Sequence, residues 1–395
     1  MTDLAVMQPL MPEARLLAPL LEQAAALVAD CHRLSSQAGG PLTGALRPRL
    51  RAMTSYYTNQ IEGQHTRPAD IERALAAQFD ADLRQAQKQR LALAHMAAEE
   101  ALEQAVRRES CYDPSWVTAI HRSLYDRLPP GDRETEEGQG IVPGAFRQQD
   151  VTAGRHLAPP HASVPGLLAG WGQGYRGLAG SELPVIGVAC SHHRLLWIHP
   201  FVDGNGRVAR LHSHLAFHAF GLSQGLWSPL RGLARSRDSY YARLNNADLP
   251  RRNDLDGRGA LSQEELLAFA SYFLGVCIDQ VRFMRTMLDL ASMRERLADL
   301  LRRLAAHPWD MGSERSLVRL EALEALLYTA AIGKVERARF MAMTGLPPRT
   351  GRRVLASLLD WGLLTAASSR APVAFAVPLR GLRFLFPRLW PEAEG

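Results

Sequence analysis

Cysteine is scarce in this chain, and its placement excludes more than its number does. The 395 residues carry four, Cys31, Cys111, Cys190 and Cys277, and no two form a Cys-x-x-Cys pair. Neither a zinc knuckle nor a disulfide framework is expected, and a reducing compartment fits best. Long apolar runs are also missing: no stretch approaches the ~20 residues that a bilayer-spanning helix needs. The start of the chain has no basic segment followed by an apolar one. No secretory leader is therefore expected, and the cytoplasm is the expected location. His-Glu-x-x-His, the helical zinc pattern, does not occur.

What is there is the composition of an ordinary globular protein, 47% apolar and 22% charged. The length implies two or three domains. The net charge of +6 is unevenly spread. Residues 311–395 hold 12 Lys/Arg against 7 Asp/Glu, so most of the surplus sits in the last fifth of the chain. Helical periodicity dominates. Helices are predicted over 16–34, 47–60, 66–79, 83–106, 115–128, 164–174, 183–197 and 266–304, with a short one at 239–244. Gly39-Gly40-Pro41 reads as a break, and Gly63 as the cap that ends the second helix. Residues 144–152 read as extended chain, Ala153-Gly154 as a turn and His156-Leu157-Ala158 as a return strand, stopped by Pro159-Pro160.

The chemistry is concentrated in one run, Ile198-His199-Pro200-Phe201-Val202-Asp203-Gly204-Asn205-Gly206-Arg207-Val208-Ala209-Arg210. An imidazole precedes a tight turn and a carboxylate follows it by four residues. Gly-Asn-Gly then lets the backbone curl and open a helix, whose free N–H groups and positive dipole end suit a phosphate. Arg207 and Arg210, three apart, fall on one face of that helix and can reach further phosphate oxygens. Asp203 is the hard oxygen ligand that Mg²⁺ takes when phosphates complete its shell. His199 is the side chain suited to accept a proton near neutral pH. The run looks built to hold a polyphosphate and to activate a hydroxyl against it.

These residues resemble the Fic signature, H-x-F-x-[DE]-G-N-G-R-x-x-R, at every fixed position. The resemblance covers about residues 10–290. It implies a protein adenylyltransferase, which moves AMP from Mg-ATP to a Ser, Thr or Tyr hydroxyl of a target protein. By the same resemblance His199 is the general base and Asp203 the Mg²⁺ ligand. Gly204, Asn205 and Gly206 form the anion hole, and Arg207 and Arg210 meet the β- and γ-phosphates. Phe201 anchors the loop. Thr58-Asn59-Gln60-Ile61-Glu62-Gly63 matches the family's inhibitory motif [ST]-x-x-x-E-[GN]. Glu62 paired with Arg210 would neutralise the group meant for the γ-phosphate, so autoinhibition by Glu62 is expected; in some members the same glutamate supports removal of AMP. Gly144-Ala145-Phe146-Arg147 before the extended segment resembles the start of the family's flap, so residues 144–158 are where a target protein would dock. Aromatics near 240 line the adenine site in the family, which makes Tyr241, or Tyr240, an ATP-binding candidate beside a core-packing role.

Other histidines read as structural. His192 and His193 lie on the helix before the signature. His214 and His218 are four apart and could share a metal, but no third ligand is evident in the sequence. Asp254-Leu255-Asp256-Gly257-Arg258-Gly259 with Glu265 imitates a calcium loop, yet Arg258 stands where an oxygen ligand belongs; Ser262-x-x-Glu265 as a helix cap is the simpler account.

From about residue 315 the pattern changes. Helices at 317–327, 335–343 and 349–359 are followed by Leu363-Leu364-Thr365 and by Val373–Val377 as two strands, a winged-helix reading. Arg349, Arg352, Arg353 and Arg370 give it a basic face, so DNA contact through 349–370 is one expectation, and a DNA-binding regulator with a nucleotide-sensing Fic domain is the alternative function. The expected architecture is mainly α: an N-terminal helical region over 1–100, a Fic helical core with a small β-hairpin flap over 101–290, and a linker helix and winged helix over 291–395. Helical bundles can also pair, which leaves a homodimer open.

Overall fold

The computed structural model describes residues 4–38, 40–64, 66–135, 137–307 and 316–389; Gly39 of the expected break lies outside them. Helix dominates, as the periodicity requires. The chain divides into two units, Met1–His32 with Thr54–Val281, and Arg33–Met53 with Arg282–Gly395.

The first unit begins with α1 (Ala18–Gln37), whose last residues pass into the second unit. Next comes α2 (Gly40–Ile61), whose residues up to Met53 belong to the second unit and whose remainder returns to the first; it starts earlier than the sequence implied and accommodates Pro48 in its interior. It ends where Gly63 adopts φ +78°. Gly63 N donates to Gln60 O at 3.0 Å and Gln64 N to Asn59 O at 2.8 Å, the paired bonds of a left-handed helix stop. That stop fixes Glu62 as the last residue of the turn. There follow α3 (Pro68–Leu75), α4 (Leu83–Ala105) and α5 (Pro114–Tyr125), the first shorter than its pattern. Asp82 caps α4 by accepting from Arg84 N at 2.8 Å.

The hairpin comes next. Strand β1 (Thr152–Ala153) pairs with β2 (His156–Leu157), Thr152 opposite Leu157 and Ala153 opposite His156. The turn is Gly154-Arg155, one residue later than the sequence suggested. Gly154 at φ +61° takes the first turn position, where a two-residue hairpin of type II′ needs a positive φ.

At the centre lies α7 (Glu182–Ile198), preceded by α6 (Val164–Arg176). Its sequence is apolar on nearly every side, and it is buried on nearly every side, as such a helix must be. Even Arg194 is internal: its Nε and Nη2 donate to Pro9 O at 3.0 and 2.9 Å and satisfy the buried guanidinium. Helix α8 (Asn205–Ala219) packs along α7, and α4 and α5 pack on α8. Helices α9 (Leu230–Arg235), α10 (Arg237–Ala247) and α11 (Gln263–Leu288) follow. Ser262 Oγ accepts from Glu265 N at 3.2 Å, which is the helix-cap geometry expected there. Helix α11 is 26 residues long, and its most apolar 18-residue stretch, with a mean hydropathy of 1.4, has the length and composition of a membrane span. Its Phe269, Phe273, Leu274 and Cys277 are nevertheless fully buried, so its apolar face is core.

The second unit contains α12 (Leu290–Ala306), α13 (Leu323–Ile332), α14 (Arg337–Met343), α15 (Pro348–Trp361) and α16 (Leu379–Leu385). Three short antiparallel strands, β3 (Lys334–Val335), β4 (Leu364–Thr365) and β5 (Val373–Phe375), run in the order β3-β5-β4. The first of these was read as helix in the sequence, and α16 was not foreseen. Helix α15 buries Val354, Leu355, Leu358 and Trp361 and exposes Arg349, Arg352 and Arg353.

Candidate active site

The site is made where α7 stops and α8 starts. Pro200 cannot donate to the helix and biases His199 out of it. His199 takes φ +49°, ψ +60°, with its N–H still bonded to Leu195 O at 3.2 Å. The loop behind it is held by Asn205, whose Oδ1 accepts from Phe201 N and whose Nδ2 donates to Phe201 O, each at 2.9 Å. Phe201 is fully buried and stacks on His121, ring centroids 3.9 Å apart. Gly204 begins α8 at φ +80°, and a Cβ there would stand 2.6 Å from the Tyr125 hydroxyl. A Cβ on Gly206 would run into Glu62 Oε1. Gly204 is therefore favoured by backbone and by contact, and Gly206, in helical conformation, by its contact with Glu62.

Asp203 is 42% exposed at its side chain. Its Oδ2 accepts from Tyr125 OH at 2.9 Å and lies 3.4 Å from Arg207 Nη1. Burial pushes this carboxyl up, but the Arg207 guanidinium and the Tyr125 hydroxyl outweigh it and hold it below the usual range. Arg207 also donates to Gln64 Oε1 at 2.9 Å. Arg210, buried, donates from Nε to Thr58 Oγ1 at 2.9 Å and from Nη2 to Thr58 O at 3.3 Å, and it forms an ion pair with Glu62. Burial would raise the Glu62 carboxyl, and Arg210 and Arg207 together bring it below its ordinary value. Every fixed residue of the 58–63 motif thus serves one contact: Thr58 and Glu62 hold Arg210, and Gly63 sets the turn that aims Glu62.

A cavity of about 420 Å³ opens beside this pair. Glu62, His156, His199, Gly206, Arg210 and Tyr241 line it. Asp203 and Arg207 face a second cavity of about 570 Å³ with Gln64, Lys88 and Tyr125. The C-terminal turn of α2 borders both. Tyr241 donates to Ile61 O at 3.1 Å, while Tyr240 is buried, bonded to His192 at 2.7 Å, and so belongs to the core as well as to the cavity wall. Burial pushes the His199 imidazole down to about 4, with the neighbouring His156 adding to the effect. It is neutral at physiological pH, the form that accepts a proton.

Three contributors were not among the predicted site residues. Arg147 is buried under the hairpin and donates from Nε to His199 O at 2.8 Å, from Nη1 to Gln149 O at 2.9 Å and from Nη2 to Pro159 O. It ties the base of the hairpin to the signature loop; Gly-x-Phe-Arg marked its segment as the start of a flap but gave Arg147 no role. His156 on β2 meets Trp197 O through Nε2 at 2.7 Å and Asp248 through Nδ1 at 3.2 Å. Tyr125 reaches Asp203 from α5, 78 residues away in the chain.

Comparison with known proteins bears on the family and the fold. Residues 111–217 match the Fic/DOC family model, so the chain carries a domain of that family over the hairpin, the signature loop and α8. Glu62 lies outside the matched range. A protein adenylyltransferase Fic of Drosophila mojavensis is 37% identical over 102 residues, 25% of this chain and 20% of that relative. The Drosophila melanogaster protein of the same name is 32% identical over 96 residues, 24% and 18% of the two chains. The chain therefore spans about a fifth of the length of these relatives. A Fic family protein structure from Desulfovibrio desulfuricans superposes with a TM-score of 0.52 at 18% identity, over 90% of this chain and 96% of that one. A Fic domain-containing signaling protein from Bacteroides thetaiotaomicron gives 0.50 at 17% identity, over 67% and 95%. At these identities the structures speak for the fold, which is mainly α.

Proposed function

We propose that the chain is a protein adenylyltransferase that moves AMP from Mg-ATP to a Ser, Thr or Tyr hydroxyl of a target protein and is held back by Glu62. The observation that carries this reading is the convergence of His199, Gly206 and Arg210 on one cavity with Glu62 paired to Arg210. The names of the relatives point the same way. In this reading the target hydroxyl oxygen attacks the α-phosphorus of ATP. The bond from that phosphorus to the oxygen bridging to the β-phosphate breaks, and pyrophosphate leaves with the electron pair. Neutral His199 takes the hydroxyl proton at a ring nitrogen. The N–H groups of the 204–206 turn and the dipole of α8 receive phosphate oxygens, Arg207 those of the β-phosphate and Arg210 those of the γ-phosphate. Tyr241 borders the adenine.

Asp203 fits a Mg²⁺ site by its chemistry: one ionised, half-exposed carboxylate facing a cavity, which suits an ion that keeps waters and phosphates as its other ligands. When bound, that ion would neutralise charge on the α- and β-phosphates. Tyr125 keeps the carboxylate oriented for it. The target lies along the exposed edge of the hairpin, adding backbone hydrogen bonds to the two strands, with Arg147 keeping the hairpin in register with His199.

Glu62 occupies the guanidinium that the γ-phosphate needs, so ATP binds only with that group already neutralised. The same carboxylate could hold a water for the reverse, AMP-removing reaction. Residues 1–100 are then a regulatory helical region and 101–290 the catalytic core. In the last segment, three helices, a three-stranded sheet and the exposed Arg349, Arg352 and Arg353 support a winged helix with a basic face.

The test is incubation of the wild type, Glu62→Gly and Glu62→Gly/His199→Ala with Mg²⁺ and ATP labelled at the α-phosphate, alone and in lysate. Protein label that appears with Glu62→Gly and disappears in the double variant supports the reading. No label from any of the three removes it and leaves the regulator alternative, which needs salt-dependent DNA binding by the full chain.

A further inference from the structure

Helix α8 carries a second group of polar side chains beyond Arg210. His214 and His218 follow on the same face, four residues apart. Opposite them on α4, His95, Glu99 and Glu103 recur at the same interval. Where the two helices pack, His214 Nε2 lies 2.9 Å from Glu103 Oε1 and 3.7 Å from Glu99 Oε1. His95 Nδ1 stands 3.8 Å from Glu99 Oε2, and His218 Nδ1 stands 4.0 Å from Glu103 Oε1. One oxygen or nitrogen from each of Glu99, Glu103 and His214 falls within 4.8 Å of the other two, and all three residues are buried.

His95 makes this more than an ionic cluster. Its side chain is completely enclosed, it points Nδ1 at Glu99, and neither ring nitrogen has a hydrogen-bond partner. A buried imidazole left in that state is costly unless something uses its lone pair.

We propose that His95, Glu99, Glu103 and His214 bind a divalent transition-metal ion, with zinc the best match. Two carboxylates neutralise a dication inside the protein, and two imidazoles supply the nitrogen donors that Zn²⁺ accepts and that Mg²⁺ and Ca²⁺ avoid. Ligands about 2.0 to 2.2 Å from a tetrahedral ion stand about 3.3 to 3.6 Å from one another. The separations of 2.9 and 3.7 Å bracket that range for His214 with Glu103 and Glu99, and His95, 3.8 Å from the other oxygen of Glu99, would turn toward the ion to complete the set. His218, 25% exposed, marks the side from which an ion enters. The ion would clamp α8 to α4 and so brace the helix whose other end carries Arg207 and Arg210. The site is separate from Asp203 and does not depend on the transferase reading.

The test uses the full chain stripped by a chelator and dialysed free of it. Titration with ZnCl₂, and separately with CoCl₂, is followed by calorimetry, by metal content per chain and by visible absorption. The expected result is one ion per chain, a cobalt spectrum of a low-coordinate site with imidazole donors, and a raised unfolding temperature. Asp203→Ala should keep the ion, and Glu99→Gln/His214→Gln should bind it more than about 100-fold more weakly. Absence of saturable uptake by the folded wild type overturns the proposal. Loss of the ion in Asp203→Ala with retention in the double variant does so too. If the double variant fails to fold, the wild-type cobalt spectrum decides: the weak spectrum of a six-coordinate aqua ion sinks the proposal, and a strong low-coordinate spectrum sustains it.

Discussion

The two ends of α8 hold carboxylates in different ways. At its start, Glu62 meets Arg210; near its end, Glu99 and Glu103 meet His214. A guanidinium is always charged, so the first pair does not depend on pH in the neutral range. Glu62 is held below its ordinary value, and this pairing is present above the unfolded carboxylate range and lost only as pH falls through the lower folded value. What can displace Glu62 at neutral pH is a competing anion, which suits a brake on a phosphate site. The imidazole end instead presents nitrogen and oxygen donors to one another, an arrangement that suits a metal ion. Glu62 also sits on the last turn of a helix, next to a glycine, whereas Glu99 and Glu103 are in the middle of α4. One pair is placed to open and the other to stay.

The largest effect expected at the arginine end is that of His199→Ala in the Glu62→Gly background. AMP transfer should fall by about 10²–10⁴, the share of a general base, measured as labelled target per minute. Zinc uptake should be unchanged; a change in both would mean that the two ends are not separate. Phe201→Ala should cost about 3–5 kcal/mol in denaturant unfolding, since the ring is fully buried against His121 and its loss opens a cavity under the signature loop. A much smaller cost would mean that Asn205 alone holds that loop.

Glu62→Gly should raise AMP transfer by about 5–150-fold, the usual range of a coupling between two sites, with tighter ATP binding by calorimetry. Equal activity of wild type and variant would break the contrast between an opening pair and a staying one. The smallest effect concerns His156. Burial lowers its affinity for a proton, but Asp248 and the Trp197 carbonyl outweigh burial and raise it. Such a pair stabilises the hairpin fully below the unfolded histidine value and loses that contribution as pH rises through the raised folded value. Hydrogen exchange at the 152–157 amides should therefore quicken as pH is raised through that window, after correction for intrinsic rates. The dependence should flatten in Asp248→Asn. Arg147 and His199, the other titratable groups facing His156, oppose its charge and work against the effect rather than for it.

Much of the fold was legible. The periodic apolar positions of α4, α6 and α7 gave those helices nearly to their ends, because burial of one stripe or of a whole helix leaves a pattern in the chain. Short elements were less so: Lys334–Val335 joined a sheet through Ala374 and Val373, and no local propensity marks a two-residue strand. The hairpin turn moved by one residue because cross-strand pairing, rather than the Ala-Gly dipeptide, set its register.

By itself the sequence determined the chemistry available: an imidazole, a carboxylate, an anion-binding turn and two arginines in one run, with a glutamate and a glycine in another. Those are properties of contiguous residues, and order along the chain preserves them. Only the tertiary structure decided which groups meet. Tyr125 on Asp203, Arg147 beneath the hairpin, and His95, Glu99 and Glu103 across from His214 are all pairings between separate helices or loops, whereas Glu62 on Arg210 was expected from the motif. The groups that meet His214 are on α4, and neither its spacing from His218 nor any other local pattern pointed to them. Helix packing brings such residues together because burial favours apolar contact without regard to distance along the chain. The polar groups carried inside with it must then find partners where they land.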